Sequence, residues 1–275
     1  MDEHEDEADD HGFVQFPQKA STMDRRTMLK ATGSAAALTI LGGIPIGRAA
    51  EMTPLKNKNA GARKKILVIG AHPDDPETTS GGTICLLKDA GHEVVCVYLT
   101  RGEAGIPGKS HEEAAAIRVA ESKAACAVTG CRPIFMDQTD GATEVNLERY
   151  REMREMIARE KPDVVITHWP IDGHRDHAVC GILVLDAWRR LDRCFDLFYF
   201  EAMSGTQTQM FHHSHWVDIS SVRERKYKAC YCHKSQELEE VMEGWHGPME
   251  RFRGIECRCE AAEAFLRHIE AGTIV

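Results

Sequence analysis

Residues Lys64 to Glu77, reading KKILVIGAHPDDPE, constrain the fold more than any other stretch. Ile66-Leu67-Val68-Ile69 is a short unbroken apolar run, the pattern of a strand buried on both faces of a parallel sheet. Gly70 ends the run, and His72, Asp74, Asp75 and Glu77 follow at once. In open α/β sheets, ligands bind just beyond the carboxyl ends of strands. Pro73 and Pro76 stiffen the loop, because each fixes its own φ. Alone, the stretch also reads as a solvated acidic turn. A second cluster argues for chemistry: Thr167 to His177, THWPIDGHRDH, follows the apolar run Val164-Val165-Ile166. Two strand ends, each supplying His and Asp, can share one metal. Zinc accepts imidazole nitrogen and carboxylate oxygen, and a catalytic zinc keeps one position open for water.

The intervening chain alternates strands and helices. Helices are expected over Thr79 to Ala90, Glu112 to Thr129, Asn146 to Glu160, His177 to Leu191 and Ser220 to His233. Gly91 and Gly130 stand where helices usually stop. Further strands are expected at Val94 to Leu99, Pro133 to Met136, Phe195 to Phe200 and Trp216 to Ile219, with residues 237–275 helical. This order predicts an α/β fold with a doubly wound, Rossmann-like, mostly parallel sheet in a single domain, residues 64–275. The 275 residues suit one such domain plus an export segment, and 43% hydrophobic content supplies a sizeable core.

The formal charge of −9 argues against a nucleic-acid binder, whose surface carries basic patches. Much of it is local: residues 1–10 hold seven acids and no Lys or Arg. Residues 1–22 read as an acidic leader, and a start at Met23 would leave them untranslated. Residues 23–49 read as a twin-arginine signal peptide, with Arg25-Arg26 ahead of a weakly apolar Ala31 to Ile46 and small residues for cleavage after Ala49. A buried amphipathic helix with an incidental Arg pair is the competing reading. The apolar stretch is short for a bilayer, and no cysteine near it offers a lipid anchor. The expectation is passage through the twin-arginine translocon to a periplasmic or extracytoplasmic location, with no stable membrane anchor after cleavage. Residues 50–63 read as a linker.

The two His/Asp motifs, in this order and on these strands, resemble the LmbE/PIG-L family of zinc-dependent N-deacetylases. The AHPDDE-like loop is present as Ala71 to Glu77, with Pro76 inserted before the Glu, and the HxxDH element as His174-Arg175-Asp176-His177. The resemblance runs from about residue 64 to about 236. It implies one Zn²⁺ per chain held by His72, Asp75 and His177, with Asp74 as the base on the attacking water. It implies that His174 stabilises the oxyanion or protonates the leaving amine, with Asp176 holding the His174 ring. A helix N-terminal charge is the other reading of Asp176. An RxxE element, Arg118 and Glu121, implies an arginine that reaches substrate, against an ion pair at i, i+3. Asp140 matches a family Asp that binds sugar hydroxyls, against a simple Asp-Gly turn.

The implied activity is removal of an N-acetyl group from an N-acetylglucosamine-type sugar or glycoconjugate. Alternatives are a zinc amidase acting on a larger sugar-linked amide, and a non-catalytic carbohydrate-binding protein of the same fold. An oligomer is compatible with either. The Gly-rich loop Thr100 to Lys109 lacks phosphate-loop spacing, and its Glu103 is a substrate contact or a surface turn. His233-Lys234-Ser235-Gln236 resembles a family HxSQ element, read as structural or substrate-flanking. His212, His213 and His215 lack nearby carboxylates in sequence and read as surface. Ten cysteines all follow residue 80, and Cys230/Cys232 and Cys257/Cys259 are either bridged to each other or free thiols.

Overall fold

The computed structural model describes residues 62–269. The leader, the signal peptide and nearly all of the linker lie outside the described residues. β1 (Lys65–Gly70) is the predicted buried strand, and five of its six residues are buried. Around it run β2 (Glu93–Thr100), β3 (Arg132–Gln138), β4 (Val164–His168) and β5 (Asp196–Phe200), the five forming a parallel set. β6 (His215–Asp218) and β7 (Ala262–Arg267) add an antiparallel edge, giving the order β3-β2-β1-β4-β5-β7-β6.

Alternation along the central strands sends side chains to two cores. Leu67, Ile69, Val95, Val97 and Val165 pack on one face with Met153, Ile157, Leu183 and Val184. These helix residues belong to α3 (Leu147–Glu160) and α4 (Arg175–Arg190). Ile66, Val68, Val94, Cys96 and Ile166 pack on the other face with Ile84 and Cys126. Those two lie on α1 (Asp75–Asp89) and α2 (His111–Thr129). Each fully buried aliphatic side chain contributes about 1.5–3 kcal/mol. The doubly wound arrangement follows, because both faces of the sheet are apolar and must be covered.

Local chemistry sets the helix ends. Ser110 and Glu113 form a capping box at the start of α2, and Gly130 closes it in the left-handed region. The Asn146 side chain accepts from the Glu148 and Arg149 N–H groups to start α3.

Two expectations fail. The predicted helix from Ser220 to His233 is a 3₁₀ turn, Ser220–Val222, followed by α5 (Arg223–Cys230), with a second 3₁₀ turn at Lys234–Gln236. Residues 237–275 are not all helical. After α6 (Leu238–Val241), a π turn (Met242–His246) and α7 (Gly247–Cys257), the chain enters β7. AEAFLR carries good helix formers, but the open edge of β5 on one side and β6 on the other satisfy its backbone as a strand.

Candidate active site

β1 and β4 are neighbours, and the chain leaves them in opposite directions along the sheet, to α1 and to α4. Their carboxyl ends therefore open the crevice of a topological switch point. His72, Asp74 and Asp75 come from the first strand end, and His174, Asp176 and His177 from the second. A Cβ at Gly70 would stand 2.6 Å from the Asp75 Cβ, so only glycine lets the loop fold back onto its strand.

Among the described residues, ligand atoms within 4.8 Å of one another come from His72, His174 and His177, and from Asp75, His168 and His177. Asp75 Oδ2 lies 3.4 Å from His72 Nδ1, and Asp75 Oδ1 lies 3.4 Å from His177 Nε2. Ligands 2.0–2.1 Å from a tetrahedral ion stand about 3.3 Å apart, so each of these two contacts has the spacing of a ligand pair, one through each Asp75 oxygen. The other ring nitrogens are held from behind. His72 Nε2 meets Asp176 Oδ2 at 3.1 Å and Asp140 Oδ1 at 3.2 Å, and His177 Nδ1 meets Asp172 Oδ1 at 3.3 Å. Carboxylates behind ligating imidazoles fix the tautomer and raise ligand basicity.

The electrostatics also suit a cation. Burial opposes charge on His72, yet hydrogen bonds to Asp140, Asp176 and Asp75 outweigh it and hold its pKa well above the usual range. His177 is raised to about 9, because the Asp75 charge and the Asp172 contact outweigh burial. Asp75 is held well below the carboxylate range, with burial overcome by His177 and His168. Binding of a dication would displace the imidazole protons. The His and Asp donors gathered here therefore fit a divalent metal ion, and His72, Asp75 and His177 all belong to the sets that could hold it.

Asp74 stands apart from this triad. It sits at φ 126°, a strained backbone conformation for a residue with a side chain, at the N-cap of α1. Its Oδ2 accepts from Arg118 Nη2 at 2.9 Å, and Arg118 also donates to the Pro73 carbonyl. Burial raises the Asp74 pKa, and the Arg118 charge pulls it back only in part. Arg118 is itself buried beneath Gly102 and Gly105, where any Cβ would collide with its guanidinium. Its fixed partner is thus Asp74. The expected partner Glu121 instead accepts from Ser235 N and Oγ at 2.8 and 2.7 Å, tying the HxSQ element to α2.

His174 is the N-cap of α4, its ring 4.7 Å from that of His72 and 4.5 Å from that of His177. Burial and the neighbouring His177 and His72 lower its pKa. The Asp176 carboxylate does not hydrogen-bond His174. It accepts from Thr143 Oγ1 and Gly141 N, both at 2.7 Å, and meets His72. One turn of helix points Asp176 back across the crevice toward the loop after β3, which also places Asp140 at the site. Glu103 accepts from the Arg101 and Asp140 N–H groups at 3.2 Å, as a turn.

Two further participants lie in the second motif and had no expected role. His168 is fully buried and stacks on His177 at 4.0 Å, with Nε2 3.0 Å from Asp75 Oδ2. Burial and then the His177 charge push it down to about 4, so it stays neutral. Asp172 lies inside the second motif but held no assigned role. The strand-end rule is the signal that could have pointed to both. Elsewhere, His213 Nε2 pairs with Glu256 at 3.0 Å, so the histidine run does have a carboxylate partner, distant in sequence. His233 is fully buried, 3.7 Å from Glu77. All ten cysteines are free, and no bridge joins the two CxC pairs.

Above these residues lies a cavity of ≈ 370 Å³, lined by His72, Asp74, Asp140, His174, Met203, Gln207 and others. The model of the PIG-L family, described as GlcNAc-PI de-N-acetylase, matches residues 67–188. The diacetylchitobiose deacetylase of Thermococcus kodakarensis is 34% identical over 197 residues, 66% of this chain and 73% of that protein. Among solved structures, the N,N'-diacetylchitobiose deacetylase of Pyrococcus horikoshii has a TM-score of 0.65 at 26% identity, covering 74% of this chain and 84% of that one. The 4-carboxy-2-hydroxymuconate hydratase GalB of Pseudomonas putida has a TM-score of 0.66 at 20% identity, covering 76% and 98%, a likeness of fold alone. The two strand-end motifs, the site they build and these relatives together place the chain in the PIG-L (LmbE-like) family of de-N-acetylases.

Proposed function

We propose that this enzyme, a hydrolase of linear amides, removes the acetyl group from the nitrogen of an N-acetylglucosamine-type sugar or glycoconjugate at a single bound zinc ion. One observation carries the reading: two imidazoles each stand 3.4 Å from an oxygen of the Asp75 carboxylate and face a cavity, beside a separate carboxylate, Asp74, on a strained backbone. The 34% identity to a diacetylchitobiose deacetylase supports the substrate class.

His72, Asp75 and His177 would hold the zinc ion, which would supply Lewis acidity toward water and the acyl oxygen. Asp74 takes the proton of the attacking water. Arg118 occupies its Oδ2, which fixes the carboxylate and leaves Oδ1 to act. His174, with its pKa lowered, offers a neutral ring N–H to the oxygen on which charge develops, and the proton that Asp74 took from water passes to the leaving amine. Asp176 and Asp140 hold His72, and Asp172 holds His177. Gln207, Gln236 and Asp140 offer hydrogen-bonding groups to sugar hydroxyls from the cavity wall. The Arg25-Arg26 signal supports action outside the cytoplasm.

The test is acetate release from a panel of N-acetylated sugars, with and without chelator. A hydration assay on unsaturated carboxylic acids runs beside it, because one fold neighbour is a hydratase. Chelator-sensitive acetate release is expected. Hydration without acetate release from any sugar would refute the reading.

A further inference from the structure

On the far side of β2 from α3, three thiols meet. Cys96 lies in β2, Cys126 in the last turn of α2, and Cys131 just before β3. The left-handed Gly130 turns the chain so that the Cys131 N–H donates to the Cys126 carbonyl at 3.1 Å. Cys131 Sγ is then 3.2 Å from Cys96 Sγ, and all three sulfur atoms lie within 4.8 Å of one another. Cys96 and Cys126 are buried, while Cys131 is partly exposed and gives a path from solvent. The cluster contains none of the residues of the catalytic site.

We propose that Cys96, Cys126 and Cys131 form a second metal site that takes a soft monovalent cation, Cu(I), through three sulfur atoms. Thiolate ligands select soft ions such as Cu(I). Metal–sulfur bonds of about 2.3 Å put the sulfurs of a three-coordinate site about 4 Å apart, which the separations bracket. Zinc fits less well, because it wants four ligands and, among the described residues, no fourth Cys, His or carboxylate joins the cluster. Cys131 is the ligand set to lose its proton first. Cys126, Cys96 and Thr129, whose Oγ1 is 3.0 Å from its sulfur, stabilise its thiolate and lower its pKa. Binding sends thiol protons to solvent and transfers no electrons.

The test uses the zinc-loaded enzyme. Cys194, Cys232, Cys257 and Cys259 are replaced by Ala, which removes the other exposed or partly exposed thiols, including the 3.3 Å pair Cys257/Cys259. Cu(I) is titrated in against a competing chelator under anaerobic conditions, and X-ray absorption counts the sulfur neighbours. One equivalent with three sulfurs is expected, lost in Cys131→Ala and in Cys126→Ala, with acetate release unchanged in Cys131→Ala. Circular dichroism identifies any variant that fails to fold, and Cys131→Ser then serves in its place. Binding that survives these substitutions, a count of two sulfurs, or no retained Cu(I) by the folded protein would each overturn the proposal.

Discussion

Replacing Asp74 by Asn separates the base from the metal triad. Asn keeps an oxygen to accept from Arg118 Nη2, now at 2.9 Å, and tolerates the left-handed backbone better than most residues. It cannot take a proton. A positioned general base contributes about 100- to 10,000-fold, or about 2.7 to 5.5 kcal/mol of barrier at roughly 1.36 kcal/mol per tenfold. Asp74→Asn should lose acetate release by that factor while keeping zinc content and thermal stability. Asp74→Ala should differ. The side chains of Arg118 and Asp74 are only 4% and 17% exposed, and removing one partner of a buried pair costs about 3–5 kcal/mol. That variant should lose stability as well as activity. In the wild type, burial raises the Asp74 pKa, so the acid limb of the pH–rate profile should lie above about 3.9 and should vanish in Asp74→Asn. The limbs are macroscopic quantities of the coupled site, so the decisive comparison is zinc content against kcat. If zinc is lost in parallel with turnover in Asp74→Asn, Asp74 is a ligand and the division of labour with Asp75 is wrong.

His72→Ala and His177→Ala should each abolish stoichiometric zinc by metal analysis, and full occupancy in both would refute the ligand set. Asp172→Asn should weaken zinc affinity by about 10- to 100-fold through the His177 ring, measured by chelator competition; unchanged affinity would remove Asp172 from the account. His246, neutral in the cavity wall, is lowered to about 4 by burial and then by the Lys226 charge. Its contribution to stability is therefore full above about pH 6.5 and is lost as pH falls through 6.5 toward 4, amounting to about 2 kcal/mol by pH 5. Denaturant unfolding should show His246→Gln less sensitive to pH over that window than wild type, and equal sensitivity would contradict this. Lys at both Arg25 and Arg26 should leave precursor in the cytoplasm by cell fractionation, whereas normal export would exclude the twin-arginine route.

The local sequence alone determined the central sheet and the order of its chemistry. Ile66 to Ile69 and Val164 to Ile166 are apolar on every residue, which only a strand covered on both faces can use, and each is followed directly by His and Asp. Gly130 and Asn146 marked helix ends for the same reason, since their partners lie within a few residues. Pairings across elements were decided by tertiary structure. Arg118 turns from Glu121 to Asp74, Asp176 from His174 to His72, and His213 to Glu256, because a long side chain takes whichever partner the packed elements bring within 3 Å or so. β7 is a strand for a related reason: a helix-favouring sequence yields when two open strand edges supply its hydrogen bonds. His168 and Asp172 gained their places only when β4 was laid beside β1, which brought one against Asp75 and the other behind His177.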